Sequence, residues 1–261
     1  MKLGICIHSY PGTLEEQVEL MKQHGFETTF CMARNVNLPK IVALCQAAGI
    51  VIDSLHAPYK WINNMWEDSE DGELCLSELM KSVDECRQYG IPLLVVHLSS
   101  GLHPPRINTL GTERFERLTA YAEEKGVILA YENQRRLANL AMVFEEFPYA
   151  SFCWDTGHEA CFANGRRYMP LFGHKLSYLH LHDNHGEFDQ DEHRIPGDGS
   201  IDFDYVTSRI AETDYQGSIM LELAGGRHAD YQEMGASAFY ARAAKAARHL
   251  RDEIERKRKI K

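Results

Sequence analysis

An alternation repeated eight times limits what this chain can fold into: a short apolar run, then a longer segment with helical periodicity, then a glycine or polar break. The apolar runs fall at residues 2–8, 26–32, 50–56, 93–97, 127–132, 151–155, 178–182 and 218–222, each expected to be a strand. Helices are expected from Thr13, whose spacing to Glu16 is that of a capping box, and over 38–48, 73–89, 109–125, 137–147, about 168–172, 202–213 and 231–255. Gly25, Gly49, Gly90 and Gly126 stand where four of these helices should stop. Eight strand-helix units of roughly thirty residues suit a single-domain α/β fold, the (β/α)8 TIM barrel, over residues 1–255. An open doubly wound sheet would be expected to carry a glycine-rich phosphate turn after its first strand, and Ser9-Tyr-Pro-Gly12 is a poor one. Residues 256–261 read as a basic, solvated C-terminal tail.

Chemistry-bearing residues gather where these strands end. His8, His56, His97, Glu132, Asp155, His180, His182 and Glu222 stand at or beside carboxyl ends of strands, while the strand interiors are apolar. In a (β/α)8 barrel those ends open on one face, the face that carries function. A lone histidine there, such as His8 or His97, is more often a hydrogen-bonded structural residue than a ligand. Glu132 and Glu222 differ, because a glutamate that closes an apolar strand is costly to bury without a cation or a proton. His158 follows Asp155 by three residues, which suits either a ligand pair or a turn cap. Trp61 and Trp66 would pack over a ligand or simply cover the barrel end.

The densest stretch runs over residues 178–199, with four histidines and four aspartates. It begins as a strand whose period of two puts His180 and His182 on one face. It continues as a polar loop through Asp191 and His193 and closes on Gly197-Asp-Gly199. So many imidazoles and carboxylates at one rim point to a divalent metal, with Mn, Co, Mg or Zn all compatible with nitrogen and oxygen donors.

Composition narrows the partners. With 38 acidic against 28 basic residues the net charge is -10, a poor match to nonspecific binding of nucleic acid. No run is long and apolar enough to span a bilayer, and no signal-peptide pattern opens the chain. The seven cysteines are odd in number, lack C-x-x-C spacing and lie mostly in apolar segments, as expected of reduced thiols in the cytoplasm.

Taken in order, His56-Ala-Pro-Tyr, His97, Glu132-Asn, Cys153-Trp-Asp-Thr-Gly-His158, His180-Leu-His-Asp-Asn, Asp191-Glu-His193 with Gly197-Asp-Gly199, and Glu222 resemble the motifs of the xylose isomerase-like TIM barrel superfamily. That group holds sugar phosphate isomerases and epimerases, inosose dehydratases and the endonuclease IV type of abasic-site nuclease. The resemblance implies a metal site of Glu132, Asp155, His180 and Glu222. His180 is preferred to His182 because the family's ligand is followed three residues later by an acidic residue, here Asp183. His56, His97, His158, His182, Asp191, His193 and Arg227 are then expected to bind substrate or a second metal, with His182 reaching into the mouth.

Two enzymes fit this pattern. The first is a metal-dependent isomerase or epimerase of a sugar or keto-sugar, with Glu132 and Glu222 as catalytic residues that take and return a proton beside a carbonyl while the metal stabilises the enediolate. The second is an endonuclease IV-like trinuclear zinc phosphodiesterase, whose metal positions would be filled by His56, His97, Glu132, Asp155, His158, His180, Asp191, His193 and Glu222, although no basic, aromatic rim for DNA is evident. A dehydratase or lyase of inososes or keto-glycosides would use the same metal and base. A barrel that binds sugar without turnover is disfavoured by the intact Glu132 and Glu222. A homo-oligomer is common among similar proteins.

Overall fold

In the computed structural model, which describes residues 1–260, eight parallel strands form a nearly closed barrel with helices between them, a single-domain (β/α)8 fold. The strands are β1 (Leu3–Ile5), β2 (Thr28–Met32), β3 (Val51–His56), β4 (Leu93–Val96), β5 (Ile128–Glu132), β6 (Ser151–Asp155), β7 (Leu176–His180) and β8 (Ile219–Leu221). Neighbours pair in sequence order, and β1 pairs with β8. The seam between β7 and β8 is closed by a bridge from Leu181 to Leu221, with the Leu181 N–H donating to the Met220 carbonyl at 2.9 Å.

The helices are α1 (Leu14–Gln23), α2 (Leu38–Ala48), α3 (Glu70–Tyr89), α4 (Thr109–Lys125), α5 (Leu137–Glu146), α6 (Thr156–Phe162), α7 (Met169–Phe172), α8 (Phe203–Ala211), α9 (Ala229–Met234) and α10 (Ala236–Arg258). The first starts on the expected capping box, Thr13 and Glu16 each accepting from the other's backbone N–H. Three departures from the sequence pattern stand out. An extra helix, α6, begins directly at Asp155, too short to show a period. The final helical segment is broken at Gly235, whose φ of 82° ends α9 and starts α10 at an angle no other residue adopts as readily. Lastly, Arg256, Lys257 and Arg258 belong to α10 rather than to a solvated tail. Lys257 Nζ donates to Asp204, Thr207 and Ser208 of α8, anchoring one helix end against its neighbour.

Two apolar layers hold the barrel. The larger lies between strands and helices, and a smaller one, Cys6, Phe30, Leu93, Val95, Ala130, Cys153, Tyr178 and Met220, fills the interior. Below it the Asp53 carboxylate accepts from the Tyr178 hydroxyl and from Ser218 Oγ, each at 2.5 Å, so this buried acid is spent on closing the bottom of the barrel. Burial pushes its pKa up.

Trp66 does not reach over a ligand. Its indole N–H donates to the Leu98 carbonyl at 2.7 Å and its ring lies on Gly111 of α4, which fixes the segment that follows His97. Trp61, by contrast, is exposed. A Cβ at Gly111 would sit 2.1 Å from the Trp66 ring, so Gly111→Ala should destabilise the fold by about 1–3 kcal/mol in urea unfolding. An unchanged midpoint would show that this seat is not tight.

Candidate active site

Strand periodicity builds the site. The interior layer includes Val95, Ala130, Cys153, Tyr178 and Met220, and two residues further along the same strands stand His97, Glu132, Asp155, His180 and Glu222. A period of two returns each of these to the inside of the barrel, one step above the apolar filling. Pairing brings them level: a register shift between Phe152 and Cys153 makes Asp155 the partner of His180 across β6 and β7.

Glu132 is the centre. Its Oε2 accepts from Nε2 of His97 and, at 3.3 Å, from Nε2 of His56, while its Oε1 accepts from Nδ1 of His180 at 2.5 Å. The same His180 nitrogen lies 3.0 Å from Glu222 Oε2. Glu132, Asp155, His180 and Glu222 each offer one donor atom, and the four atoms lie within 4.8 Å of one another. His56, His97 and Glu132 form a second such group on one flank; His182, Asp191 and His193 form a third on the other.

The third group depends on a loop held by one carboxylate. Asp183 is fully buried and accepts four backbone N–H groups, those of Gly197 and Gly199 at 2.9 Å on Oδ2 and those of Asn184 at 2.9 Å and Ile201 at 3.0 Å on Oδ1. A Cβ on Gly199 would come within 2.5 Å of that carboxylate, which explains the Gly-Asp-Gly turn. Thus folded back, the loop sets His193 with Nε2 at 2.8 Å from Asp191 Oδ2 and Nδ1 at 3.0 Å from the Glu222 carbonyl. Asp191 Oδ2 also lies 3.4 Å from His158 Nε2.

Charges in this cluster are mutually dependent. Burial works against ionisation of Glu132, but His180 and His97 hold its carboxyl well below the usual range. Glu222 is likewise kept low against burial by His180. Asp191 is kept low against burial by His158 and His193. The imidazoles respond in kind: against the effect of burial, Asp155 and Asp191 push His158 well up, and Asp191 brings His193 to about 9. His97 is the exception, lowered by burial. The carboxylates of Glu132, Glu222 and Asp191 and the raised imidazoles thus hold one another in charge balance.

A divalent cation fits this donor set. The donors are carboxylate oxygen and imidazole nitrogen, and Asp191 Oδ1 is buried in the cluster without a hydrogen-bond partner. A bound cation would take over the compensation now done by imidazolium protons.

Of the residues singled out from sequence, the structure gathers Glu132, Asp155, His180, Glu222, His56, His97, His158, His182, Asp191 and His193 at one barrel rim. His182 differs from expectation in detail. It is fully buried, with Nε2 3.1 Å from Asp155 and its ring stacked on His193 at 4.0 Å, so it lies beneath the mouth rather than in it. Close packing decides this: a Cβ at Gly157 would sit 1.8 Å from the His182 ring. Asp155 is both cap and site residue, since its Oδ1 accepts the His158 N–H at 2.6 Å to start α6. Arg227 is exposed at the rim, and His8 lines a side chamber outside the cluster.

Sequence reasoning passed over three residues. The Gln134 amide lies 3.2 Å from His97 Nε2 and 3.0 Å from His158 Nδ1, joining the imidazole that follows β4 to the one on α6. Asn133 donates to the Asp155 carbonyl and accepts its N–H, both at 2.8 Å, clamping β5 to β6. Their only signal was adjacency to Glu132. Arg135 bonds to Asp189 and stacks on Phe162 at 3.7 Å, and nothing local in the sequence marks that.

Residues 9–253 match the sequence model of the family described as xylose isomerase-like TIM barrel, and the chain belongs to that family. A curated relative, y4fM of Sinorhizobium fredii, is 26% identical over 196 residues, which cover 68% of this chain and 60% of that protein. The chain therefore spans less than two thirds of that relative's length. Among solved structures, a D-tagatose 3-epimerase-like protein aligns with a TM-score of 0.76 at 19% identity, covering 100% of this chain and 99% of that one. The IolI protein with a bound zinc atom aligns with a TM-score of 0.75 at 18% identity, over 98% and 99% of the two chains.

Replacing Asp183 with Ala would leave four backbone donors without their carboxylate. The variant should lose on the order of 3 kcal/mol of stability in denaturant unfolding. Its affinity for a divalent ion should fall by about 10–100-fold in calorimetric titration. Full affinity in a folded variant would mean that the loop holds its place by other contacts.

Proposed function

We propose that this protein is a divalent-metal-dependent epimerase or isomerase of a sugar or keto-sugar. The observation that carries the reading is the convergence of Glu132 and Glu222, from strands β5 and β8, on one His180 nitrogen at the floor of a polar chamber of about 160 Å³. Family membership and the epimerase among the similar structures support it. Glu132, Asp155, His180 and Glu222 would hold the cation, which would act as a Lewis acid on a substrate carbonyl.

The chain's own residues do the rest. Glu132 and Glu222 are both held ionised, as a base must be, and they stand on separate strands. One, ionised, takes the proton from the carbon next to the carbonyl; the other, having taken up a proton from solvent in the substrate complex, delivers it to the opposite face or to the neighbouring carbon, so the two carboxyls exchange protonation states in each turnover. His56, His158 and His193 border the chamber with hydrogen-bonding nitrogens suited to hydroxyl groups. His182 holds Asp155 through its Nε2 at 3.1 Å. No helix among the described residues is long and apolar enough to cross a membrane, and all seven cysteines are free thiols, which supports placing the protein in the cytoplasm.

A second reading rests on the two flanking donor groups, which would let the chain hold three ions, as in an endonuclease IV-like phosphodiesterase. The net charge of -10 speaks against a DNA substrate. Metal analysis of the purified protein separates the two, with one ion per chain expected and three zinc ions the contrary result.

Proton exchange tests the chemistry. With a panel of ketoses, inososes and 3-keto-glycosides in deuterated water, the protein should incorporate deuterium beside the carbonyl of its substrate. Glu132→Gln and Glu222→Gln should each slow this by about 10²–10⁴-fold in variants whose far-ultraviolet circular dichroism shows the barrel intact. Exchange at the parental rate in Glu132→Gln would remove that residue from the mechanism.

A further inference from the structure

The chamber above the donor cluster adjoins a second, larger one. This side chamber, of about 450 Å³, shares Tyr59, His193 and Glu222 with the inner chamber of about 160 Å³, so the two meet at those three side chains. Their chemistry differs. The inner chamber is lined by the imidazoles and carboxylates of the donor cluster, whereas the outer mixes apolar wall from Ile7, Pro11, Met32 and Leu223 with the neutral or basic polar groups of His8, Gln17 and Arg227, and its only carboxylate is the shared Glu222.

The outer wall is built rather than incidental. The Gly225 N–H donates to the Ser9 carbonyl at 2.7 Å, tying the loop after β8 to the loop after β1. Tyr10 lies with its ring 5.1 Å from Phe239 and its hydroxyl 3.1 Å from the Tyr231 carbonyl. Gly226 packs so closely on Pro11 that a Cβ there would sit 2.9 Å from the proline ring. Arg227, at the mouth, makes no ion pair among the described residues. A guanidinium so placed is available to stack on a flat ring.

Size decides what such a cavity is for. Pockets that enclose a drug-sized ligand run to about 300–1,000 Å³, and the inner chamber falls below that range while the outer falls within it. One polar ring suits the inner chamber, and a free monosaccharide would leave the outer chamber, with its Ile7, Met32 and Leu223 walls, to water. We infer that the outer chamber binds a non-reacting substituent of the sugar, so that the substrate is a glycoside with an apolar or aromatic aglycone rather than a free ketose. This rests on the sugar-epimerase reading for the ring that reacts.

The test uses the 3-keto derivatives of methyl and phenyl D-glucoside, in both anomers, with the full-length metal-loaded protein. Calorimetric titration should show the better phenyl anomer binding at least about tenfold more tightly than its methyl counterpart, the scale on which an apolar pocket discriminates. Met32→Trp, which fills the outer chamber, should bring that ratio to about one, and Ala224→Leu should lower it in the same direction if the first variant does not fold. Equal binding of phenyl and methyl compounds by the parent protein, or a preference that persists in a folded Met32→Trp, would overturn the inference. Deuterium exchange on the same compounds is followed separately. A phenyl preference without exchange supports the outer site and counts against the epimerase reading alone, while exchange without a phenyl preference does the reverse.

Discussion

Everything at the rim follows from the two-residue period of a strand in a closed barrel. Once Ala130, Cys153, Tyr178 and Met220 point inward to fill the barrel, Glu132, Asp155, His180 and Glu222 have no other direction available. Apolar filling beneath them removes water and lowers the local dielectric, so each charge must find its opposite within a few ångströms. The dense contacts among imidazoles and carboxylates are the result. The same enclosure that makes these groups costly to bury brings the Glu132 and Glu222 carboxylates to the lining of one chamber.

Much of this was legible because it depends on short-range pattern. Eight alternating units specify the barrel, and α2 and α4 run over the residues their periodicity and terminal glycines indicate. Glu132 and Glu222 declared themselves as acids closing apolar strands, and the structure brings them together with Asp155 and His180. What escaped has a physical reason in each case. The helix after Asp155 is too short for a period to show. His182 shares the inward face of its segment with His180, yet α6 packs over it at Gly157, a contact made across two strands. Gln134 and Asn133 act through long-range hydrogen bonds that no local spacing predicts. The basic residues near the C-terminus looked like a solvated tail because their partners on α8 lie some fifty residues away in the chain.

Division of labour within the rim is also clear. Strand-borne groups are fixed by the sheet, and their supports are backbone pairing and the Asn133 clamp. Loop-borne Asp191 and His193 owe their position to the buried Asp183 carboxylate and to a glycine turn packed against it. The outer chamber is formed by yet another pair of loops, joined through Ser9 and Gly225, with no share in the donor cluster except at its border.

That partition has a consequence for how the fold can be altered. The hairpin closed by Asp183 and Arg194 carries one flank of the cluster; the Asp183 carboxylate folds it, and bonds from Asp189 to Arg135, from His193 to Glu222 and from Arg194 to Asp230 fasten it to the rest of the fold. Exchanging it for a hairpin with other side chains would change the donor groups on that flank and the polarity above them, while the eight staves of the barrel remained untouched. The capacity for new chemistry therefore resides in about twenty residues, and the scaffold's robustness resides elsewhere.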